Sequence, residues 1–549
     1  MLRISNIKLP IDHSEAELRG AIADALGLDA GAIADFRIVR QSIDARKKAQ
    51  VFFVYNVDVS VEDEDEILRR KGGPQVAVAK EEHYGMPTEA PDALRHRPVI
   101  AGAGPCGLMA ALVLAQQGYR PILLERGKPA DQRSADVNGF WNRGELDPES
   151  NALFGEGGAG AFSDGKLTTR IKDRQGRIQK VLRELVAAGA PEEILYQNKA
   201  HLGTDLLIGI IQNIRREIVR LGGEVRFETK LAGLVLEDGR LRGAMLDGGE
   251  IIRTDSLILA IGHSARDTFL SLHESGVTLS PKPFAIGARI EHPQSLIDRS
   301  QYGPSAGHPK LGAADYQLSH RAKNGRSVYT FCMCPGGAVI GTSTEAGMIV
   351  TNGMSLHARN ASNGNSAILA NVRVEDFYGE KASPDDLREN PLAGIDFQRQ
   401  WEQAAFELGG GEYAAPAQRL GDFMKGRASS AFGMVQPSYL PGVTPADLAR
   451  CLPDYIIASI REALPVFDRK IKGFAMDDAV LTGVETRSSS PVRIDRDDTG
   501  QSLSTPGLFP AGEGAGYAGG IVSAAVDGLR AAEATAHYQS SNSKNTPTE

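Results

Sequence analysis

The sequence is poor in cysteine and has no long apolar segment. Only four of its 549 residues are cysteine, too few and too scattered for a disulfide framework or a paired C-x-x-C zinc site, so no metal site is expected. No apolar run approaches the roughly 18 residues that a membrane-spanning helix needs. The first residues also lack the uninterrupted apolar region of a secretory signal peptide. These absences predict a reduced, cytoplasmic protein without a membrane partner.

The sequence also has no excess of positive charge. The 61 lysines and arginines are outnumbered by 69 acidic residues, which gives a net charge of -8. Such a chain has no general attraction to phosphate polymers. One basic cluster at residues 37–48 could bind RNA or a phosphate, but the acidic run at 62–66 that follows favours a solvated hairpin tip. Nucleic acid is therefore not an expected partner.

Glycine, in contrast, is abundant, and many of the 61 glycines gather at residues 102–107, 155–165 and 512–520. The first group follows an apolar run typical of a buried strand, and a helical pattern begins directly after it. A second short strand then ends at Glu125. This order of strand, glycine-rich turn, helix, strand and acid predicts a dinucleotide-binding unit. The alternative is a glycine-rich turn in an ordinary α/β protein.

Each part of this unit has a physical task. Gly102 permits the tight turn, Gly104 lets the backbone approach a pyrophosphate, and Gly107 lets helix and strand pack closely. The phosphates would lie against the free N–H groups and the positive dipole end of the helix. Glu125 would accept hydrogen bonds from the ribose hydroxyls.

The second group lies in residues 154–166, which contain too much glycine for a regular element. Their consecutive backbone N–H groups could form an anion nest. Chain that covers a long ligand must carry little side-chain bulk, so we expect this segment to contact the cofactor. A flexible surface loop is the alternative.

The third group bears on which nucleotide binds. A strand ending in Pro510–Glu513 and followed by a glycine-rich helix start resembles the second FAD fingerprint of the glutathione-reductase-type flavoproteins. In those proteins an acid binds the ribityl chain and the next helix points at the flavin. Residues 257–262 resemble their strand-Ala-x-Gly motif. The usual acid is aspartate whereas this chain has Glu513, yet the order of the three motifs favours FAD over NAD.

Segments 40–46, 155–167, 331–337, 350–355 and 510–520 together resemble the bacterial family of FAD-dependent, or NAD(FAD)-utilising, dehydrogenases. The likeness extends over nearly the whole chain. It implies an FAD cofactor but no particular substrate, because the family is named for its cofactor.

The motifs and the resemblance imply a set of residues that hold FAD. These are Gly102, Gly104, Pro105, Gly107, Glu125, Arg126, Gly157, Gly158, Phe162, Ser163, Asp164, Ala260, Gly262, Gly512, Glu513, Gly520 and Ile521.

Catalytic residues are harder to assign. Arg487 could bind a substrate carboxylate, with a structural ion pair as the alternative. Cys332 and Cys334 alternate on a predicted strand, so they would share one face and could line the flavin; buried structural thiols are the alternative. His263 is interpreted as a loop histidine.

The expected fold is α/β, with a Rossmann-like FAD-binding domain, an inserted mixed or antiparallel α+β substrate domain and a small N-terminal α+β module. The expected boundaries are 1–70 for the module, 71–97 for a linker, 98–280 and 481–538 for the two parts of the FAD-binding domain, 281–480 for the inserted domain and 539–549 for a disordered tail.

The expected function is that of an FAD-dependent oxidoreductase, a dehydrogenase that transfers hydride between flavin N5 and an unidentified small organic substrate. The sequence has no C-x-x-C pair for a dithiol mechanism and no second complete Rossmann unit, so NAD(P)H would bind only transiently. Two alternatives stay open: an RNA-associated flavoprotein that uses the N-terminal module, and a flavin-holding protein without turnover. The sequence does not indicate an oligomeric state.

Overall fold

The computed structural model describes residues 1–80, 83–92, 94–379 and 382–544. They form an N-terminal module, a nucleotide-binding region made of two separated stretches of chain, and a cap region that lies between those stretches in sequence. None of the described helices is long and apolar enough to cross a membrane.

The N-terminal module is a four-stranded antiparallel sheet of order β2-β3-β1-β4 with α1 packed on β1. A capping box opens α1, since Ser14 Oγ accepts the Glu17 N–H and the Glu17 carboxylate accepts the Ser14 N–H. Because Leu2 pairs with Val78, the linker begins after residue 78 rather than at residue 71. The elements are β1 (Leu2–Pro10), α1 (Glu15–Leu26), β2 (Phe36–Asp44), β3 (Phe52–Val59), α2 (Glu64–Lys71) and β4 (Val76–Val78).

The first stretch of the nucleotide-binding region alternates short strands with helices and then forms an antiparallel meander. Its elements are β5 (Val99–Ala101), α3 (Pro105–Gln116), β6 (Ile122–Leu124), α4 (Ala130–Arg143), α5 (Arg177–Ala187), α6 (Gly203–Arg220), β7 (Glu224–Arg226), β8 (Leu231–Glu237), β9 (Arg240–Leu246), β10 (Ile251–Arg253), β11 (Leu257–Leu259), α7 (Arg266–Glu274) and β12 (Leu279–Pro281).

The cap contains most of the remaining strands. Its elements are β13 (Phe284–Pro293), α8 (Gln294–Tyr302), β14 (Ser319–Arg321), β15 (Ser327–Cys334), β16 (Ala338–Gly341), β17 (Thr351–Met354), β18 (Asn363–Val372), α9 (Glu375–Tyr378), α10 (Pro384–Glu389), α11 (Ala393–Gly409), β19 (Ala415–Arg419), α12 (Leu420–Lys425), β20 (Val443–Pro445), α13 (Asp454–Lys470) and β21 (Val480–Glu485). The chain then returns to the nucleotide-binding region as β22 (Val492–Ile494), β23 (Leu508–Pro510) and α14 (Ile521–Lys544).

A parallel five-stranded sheet of order β23-β11-β5-β6-β7 is the centre of the nucleotide-binding region. Strands β5, β6, β11 and β23 are buried throughout, as expected for strands covered on both faces. Helices α3 and α14 pack so closely that a Cβ on Gly528 would lie 2.1 Å from the Cys106 carbonyl oxygen. This Rossmann-like arrangement and the α/β class agree with the sequence-based expectation.

The cap is built on a seven-stranded sheet of order β14-β15-β18-β13-β21-β19-β20, antiparallel except between β19 and β20. Its central strand β13 pairs with β18 along its whole length. Because β21 also pairs with β13, the cap continues to Glu485 rather than ending at residue 480. At the edge of this sheet β20 pairs with β19, and a 3₁₀ turn at Leu448–Arg450 follows.

Two further features differ from expectation. Helix α14 continues to Lys544, so most of the segment expected as a disordered tail is helical, and residues 545–549 lie outside the described residues. The apolar core of the N-terminal module is also continuous with that of the cap. His308 Nε2 and the Asp12 carboxylate join the two surfaces at 2.8 Å. The module is therefore packed on the cap.

Candidate functional site

A cleft of about 1540 Å³, part of it open to solvent, runs along the carboxyl ends of β5, β6 and β11. Ligands of open α/β sheets bind at this edge. The glycine-rich segment that follows α4, the start of α14 and cap residues near the ends of β15 and β21 form the other walls. The cleft is thus lined by all three glycine-rich segments together with residues of the cap.

The three glycines after β5 differ in what surrounds them. A Cβ on Gly107 would lie 1.9 Å from the Gly102 carbonyl oxygen, so only glycine permits this helix–strand contact. Gly102 has φ of +103°, and its Cβ would lie 2.3 Å from the Ala260 carbonyl oxygen. Around Gly104, however, a Cβ would meet only the Cα of Gly158 at 3.9 Å. The space above Gly104 is open to the cleft, at the N-terminal end of α3.

Glu125 lies at the end of β6, in the cleft wall, and is 5 % exposed. Its carboxylate accepts the backbone N–H groups of Ala103 at 2.8 Å, Gly127 at 3.0 Å and Gly155 at 2.9 Å. Since a carboxylate offers about four acceptor positions, Glu125 ties the first turn to the glycine-rich segment and keeps little acceptor capacity. Its contact with ribose hydroxyls stays a prediction.

Arg126 extends the same wall. Its guanidinium lies 4.2 Å from the centre of the Phe154 ring and pairs with Glu149 at 2.6 Å and Asp267 at 2.8 Å. These carboxylates outweigh the effect of burial and raise the pKa of Arg126. Lys230, which also lines the cleft, donates to Glu149 at 3.0 Å. This end of the cleft is therefore a cross-linked set of ions around an aromatic ring.

The glycine-rich segment is a packed structure rather than a flexible surface loop. Arg133 of α4 is fully buried, and its guanidinium donates to the carbonyls of Asn151 at 2.7 Å, Glu156 at 2.7 Å and Gly158 at 2.9 Å. Burial lowers the pKa of Arg133 to about 10, where it stays a cation at neutral pH. A single guanidinium thus holds three carbonyls of the segment and fixes its path along the cleft.

Asp164 joins that segment to the cap. Its carboxylate accepts from Arg359 Nε at 2.9 Å and from Ser355 Oγ at 2.5 Å. These cap residues lower the pKa of the Asp164 carboxyl against the effect of its burial. Asp164 lines the cleft, so its role includes anchoring the cleft wall to the cap.

The start of α14 forms the opposite end of the cleft. Gly520 and Ile521 line it, and the unpaired N–H groups of the first helical turn make such an end favourable for negative charge. Just before it, the Gly512 N–H donates to Asp527 at 2.8 Å, and Asp527 is held in turn by both Nη atoms of Arg496. The turn between β23 and α14 is therefore fixed by an ion pair.

Glu513 in that turn differs from Glu125 and Asp164, whose carboxylates are held by hydrogen bonds. Within the described residues no protein group hydrogen-bonds its carboxylate, although it lines the cleft. Burial raises the pKa of Glu513 to about 7, and the nearby Lys282 ammonium opposes the shift. An acceptor or donor in the cleft would therefore be its first hydrogen-bond partner.

Arg487, a catalytic candidate, is engaged in an ion cluster. It donates to the buried Glu402 through Nε at 2.9 Å and Nη2 at 2.7 Å, and to Thr344 Oγ1 at 2.7 Å. Arg266 holds the same carboxylate from the other side at 2.8 and 3.0 Å. These two guanidinium groups lower the pKa of Glu402 strongly. Arg487 borders the cleft, but the geometry is that of the structural ion pair given above as the alternative.

The cysteine candidates do not share a strand face, so that expectation is wrong. The pairing of β15 with β18 slips between Phe331↔Ala367 and Cys334↔Asn365, which leaves one extra residue in β15. Cys332 lies in this bulge with φ of +45°. As a result Cys332 lines the cleft, while Cys334 is fully buried behind it.

The surroundings of Cys332 are strongly polar. Arg289 is fully buried and donates to the Cys332 carbonyl at 2.8 Å. The same guanidinium donates to Asn352 Oδ1 at 2.6 Å and forms an ion pair with the Glu485 carboxylate at 2.6 Å. Burial raises the pKa of Glu485 to about 7 despite this pair. Lys166, on the cleft wall, donates to the Met333 carbonyl.

Thirteen of the seventeen residues predicted to hold FAD line the cleft. The other four, Gly107, Gly157, Phe162 and Gly512, lie behind its wall, where they shape turns or pack. Polar cleft residues that the sequence does not predict include Lys166, Lys230, Asn352 and Glu485. Lys166 and Asn352 belong to segments that carry the family resemblance, and that resemblance could have indicated them as cleft residues. For Glu485 and Lys230 the sequence contains no such signal.

His263 also lines the cleft. Burial and the positive charges of Arg487 and Arg266 lower its pKa to about 4, so the ring is neutral at physiological pH. Its Nδ1 lies 2.9 Å from Ser264 Oγ. A neutral imidazole beside two guanidinium groups is compatible with the loop position that the sequence indicates.

An extended dinucleotide fits these walls. The open space over Gly104 at the start of α3 suits a pyrophosphate, and the unpartnered Glu513 carboxylate beside the start of α14 suits the polar chain of a flavin nucleotide. Among the described residues, no group of three His, Cys, Asp or Glu side chains is placed to hold a metal ion.

Comparisons with known proteins agree with this reading of the cleft. Residues 96–136 match the family described as "FAD binding domain", and residues 283–488 match "FAD-dependent protein, C-terminal domain-like". Residues 1–60 match a domain of unknown function. An uncharacterized protein of Clostridium beijerinckii is 48% identical over 533 residues, which cover 97% of this chain and 98% of that protein.

The matches among solved structures are more distant. A variant of the halogenase PltM in complex with FAD is 11% identical, with 82% of this chain and 70% of that chain covered and a TM-score of 0.37. A variant of E. coli quinol fumarate reductase FrdA is 13% identical, with 81% and 71% covered and the same TM-score of 0.37. The full-length identity to the Clostridium protein and the two FAD-specific domain matches establish the family. The chain belongs to the family of that Clostridium protein, a family of FAD-dependent flavoproteins, and FAD is its cofactor.

Proposed function

We propose that the protein is an FAD-dependent dehydrogenase that transfers hydride between flavin N5 and a small organic substrate, with NAD(P)H as a transient electron donor. The observation that carries this proposal is the make-up of the cleft at the start of α14. There the cap brings Asn352, Glu485 and Cys332 to the same space as Gly520 and Ile521. A cleft that only stored a nucleotide would not require polar cap groups at this end.

The cofactor supplies the two-electron chemistry, and the chain supplies binding, orientation and electrostatics. The start of α14 favours the negative charge of a reduced flavin, by about 0.3–1 kcal/mol for the helix dipole alone. Glu485, whose pKa lies near 7, can hold or release a proton at its carboxylate within the cleft. The buried network of Arg289 and Asn352 fixes the position of that carboxylate.

NAD(P)H is proposed as a transient rather than a resident partner. Among the described residues, the five-stranded sheet is the one sheet whose strands are all parallel. Its glycine-rich turn is the proposed binding site of the FAD pyrophosphate. A nicotinamide coenzyme would therefore approach from the cap side of the cleft. The substrate is proposed to enter by the same side, because the sheet edge is taken by the cofactor.

The test is reduction of the purified holoprotein without oxygen. We expect NADH or NADPH to bleach the flavin absorbance with a rate of the order of 1–10 s⁻¹, within the usual range of turnover numbers. Glu485→Gln should slow the bleaching while retaining bound FAD, and Asp396→Asn, on the exposed outer part of α11, should behave as the wild type. A flavin that neither coenzyme nor a panel of alcohols, amines and hydroxy acids reduces would refute a dehydrogenase and favour a flavin-holding protein.

The RNA-associated alternative receives no support from the basic cluster of the module. Arg37 pairs with Asp58 at 3.1 Å, and Arg46 pairs with Asp44 at 2.8 Å. Arg40 donates to Asn198 at 2.7 Å across to the nucleotide-binding region. These arginines are bound to neighbours within the protein, so we expect no salt-dependent shift of RNA.

A further inference from the structure

We propose that Cys332 and Cys334 form a redox-active pair, which exchanges two electrons with the bound FAD by opening and closing a disulfide between them. The proposal rests on the FAD cofactor and on the geometry of the bulge in β15. It does not depend on the identity of an organic substrate. A pair with the spacing C-x-C escapes the usual search for C-x-x-C.

The bulge brings the two thiols together. In a regular strand, residues two apart point to the same face but stand on separate pleats. Here the left-handed backbone of Cys332 turns the chain back, and Cys334 Sγ lies 3.3 Å from the Cys332 carbonyl oxygen. The two thiols are themselves in hydrogen-bonding contact. A left-handed conformation is uncommon outside glycine, and such residues are often found at functional sites.

The two sulfurs also differ in access. Cys332 is partly exposed and lines the FAD cleft with Glu513 and Ile521. Cys334 is 0 % exposed and lies beneath it. This places one sulfur toward the cofactor and one behind it, so that the inner sulfur reaches the cofactor only through the outer one.

The charges around the pair favour a thiolate on the outer sulfur. The hydrogen bond from Cys334 lowers the pKa of Cys332 well below that of an ordinary thiol, helped by the positive charges of Arg289 and Lys166. Burial and the hydrogen bond raise the pKa of Cys334, so the inner sulfur keeps its proton. Asp164 acts in the opposite direction and raises the pKa of Cys332. Burial, together with the negative charge of a Cys332 thiolate, raises the pKa of Glu485 and of Glu513 to about 7.

The chemical step balances with these groups alone. The Cys332 thiolate and the Cys334 thiol form an S–S bond, their two electrons reduce oxidised FAD, and the Cys334 proton passes to the reduced flavin anion. In the opposite direction the reduced flavin returns two electrons and one proton, and the S–S bond breaks. This supplies the flavin with a second redox partner inside the protein.

The experiment uses the full-length holoprotein, treated with oxidised glutathione and then freed of it. Free thiols are alkylated after denaturation, and the tryptic peptide of residues 327–359, which contains Cys332 and Cys334 and no other cysteine, is weighed. We expect a peptide lighter by two hydrogen atoms and without alkylation. Titration with dithionite should consume twice the electron equivalents of the flavin alone.

Matched variants separate the pair from the flavin. Cys332→Ser and Cys334→Ser should bind FAD but consume only the equivalents of the flavin, and Cys451→Ser, a buried cysteine outside the cleft, should behave as the wild type. If the serine variants do not fold, measurements on the wild-type holoprotein still test the proposal. Holoprotein with reduced flavin and an oxidised pair should regain flavin absorbance as the light peptide disappears.

Three results would overturn the proposal. The first is that the peptide does not form the internal disulfide. The second is that the electron uptake is the same in wild type and Cys334→Ser. The third is that the disulfide forms but persists while the flavin stays reduced.

Discussion

Replacement of Gly104 by alanine should weaken FAD binding without weakening the fold. Gly104 precedes α3 with φ of -75° and ψ of -176°, which is backbone that alanine adopts without strain. Its added Cβ would meet only the Cα of Gly158, at 3.9 Å. The free energy of unfolding of the Gly104→Ala apoprotein should therefore stay within about 0.5 kcal/mol of the wild type, as for substitutions that touch nothing.

The substitution should weaken the binding of FAD instead. The methyl group would stand where a pyrophosphate must approach the N–H groups at the start of α3. One extra methyl in a filled site costs about 1–3 kcal/mol. Since about 1.4 kcal/mol corresponds to a tenfold change in Kd, we expect the Kd for FAD to rise about 5- to 150-fold.

Two other glycines provide the controls. Gly107→Ala should lower the free energy of unfolding of the apoprotein, because its Cβ would lie 1.9 Å from the Gly102 carbonyl oxygen. Gly209→Ala, within α6 and with nothing within 4 Å, should bind FAD normally and gain up to about 1 kcal/mol of stability. The assays are flavin fluorescence titration and urea unfolding of apoprotein. The reasoning is refuted if Gly104→Ala binds FAD as tightly as Gly209→Ala, or loses as much stability as Gly107→Ala.

Three further predictions concern buried charge. Glu402→Ala leaves Arg266 and Arg487 unpaired in the interior, so urea unfolding of the apoprotein should show a loss of about 3–5 kcal/mol, and a loss below 1 kcal/mol would contradict the pairing. Glu513 has a folded pKa of about 7 against an ordinary 4.5, so its contribution to apoprotein stability is full below pH 4.5 and is lost as pH rises through 7; Tm measured from pH 5 to 8 should fall less in Glu513→Gln, and parallel curves would contradict the shift. Arg133→Lys cannot hold all three carbonyls of the glycine-rich segment, so residues 151–163 should become sensitive to limited proteolysis and FAD affinity should drop; unchanged cleavage would show that the segment is held by other contacts.

The nucleotide-binding region could be predicted because its signals are local. Strand, glycine turn, helix and acid follow one another within residues 99–125, and the physical reason for each glycine can be read from spacing alone. The second motif at 510–521 is distant in sequence, yet its strand pairs with β11 in the same sheet. The order of the motifs was therefore enough to place the cap between them.

The chemistry of the cap could not be predicted in the same way. Glu485 meets Arg289 across nearly two hundred residues, and nothing in either local sequence indicates the other. The bulge at Cys332 inverts the strand alternation on which a face assignment depends. Arg133 gives no sequence signal for burial, because arginine is mostly exposed in proteins.

The two ends of the cleft are built by different parts of the chain, and this separates holding the cofactor from reacting with it. The end at Glu125 and Arg126 is made by the nucleotide-binding region alone, through backbone N–H groups and ion pairs. The end at Ile521 is completed by cap residues, Cys332 among them. The cap in turn shares its core with the N-terminal module. Gly104→Ala should therefore lose FAD affinity yet still form the cysteine disulfide as apoprotein, whereas Cys334→Ser should keep FAD and lose the disulfide. If either variant lost both properties, the two ends would not be independent.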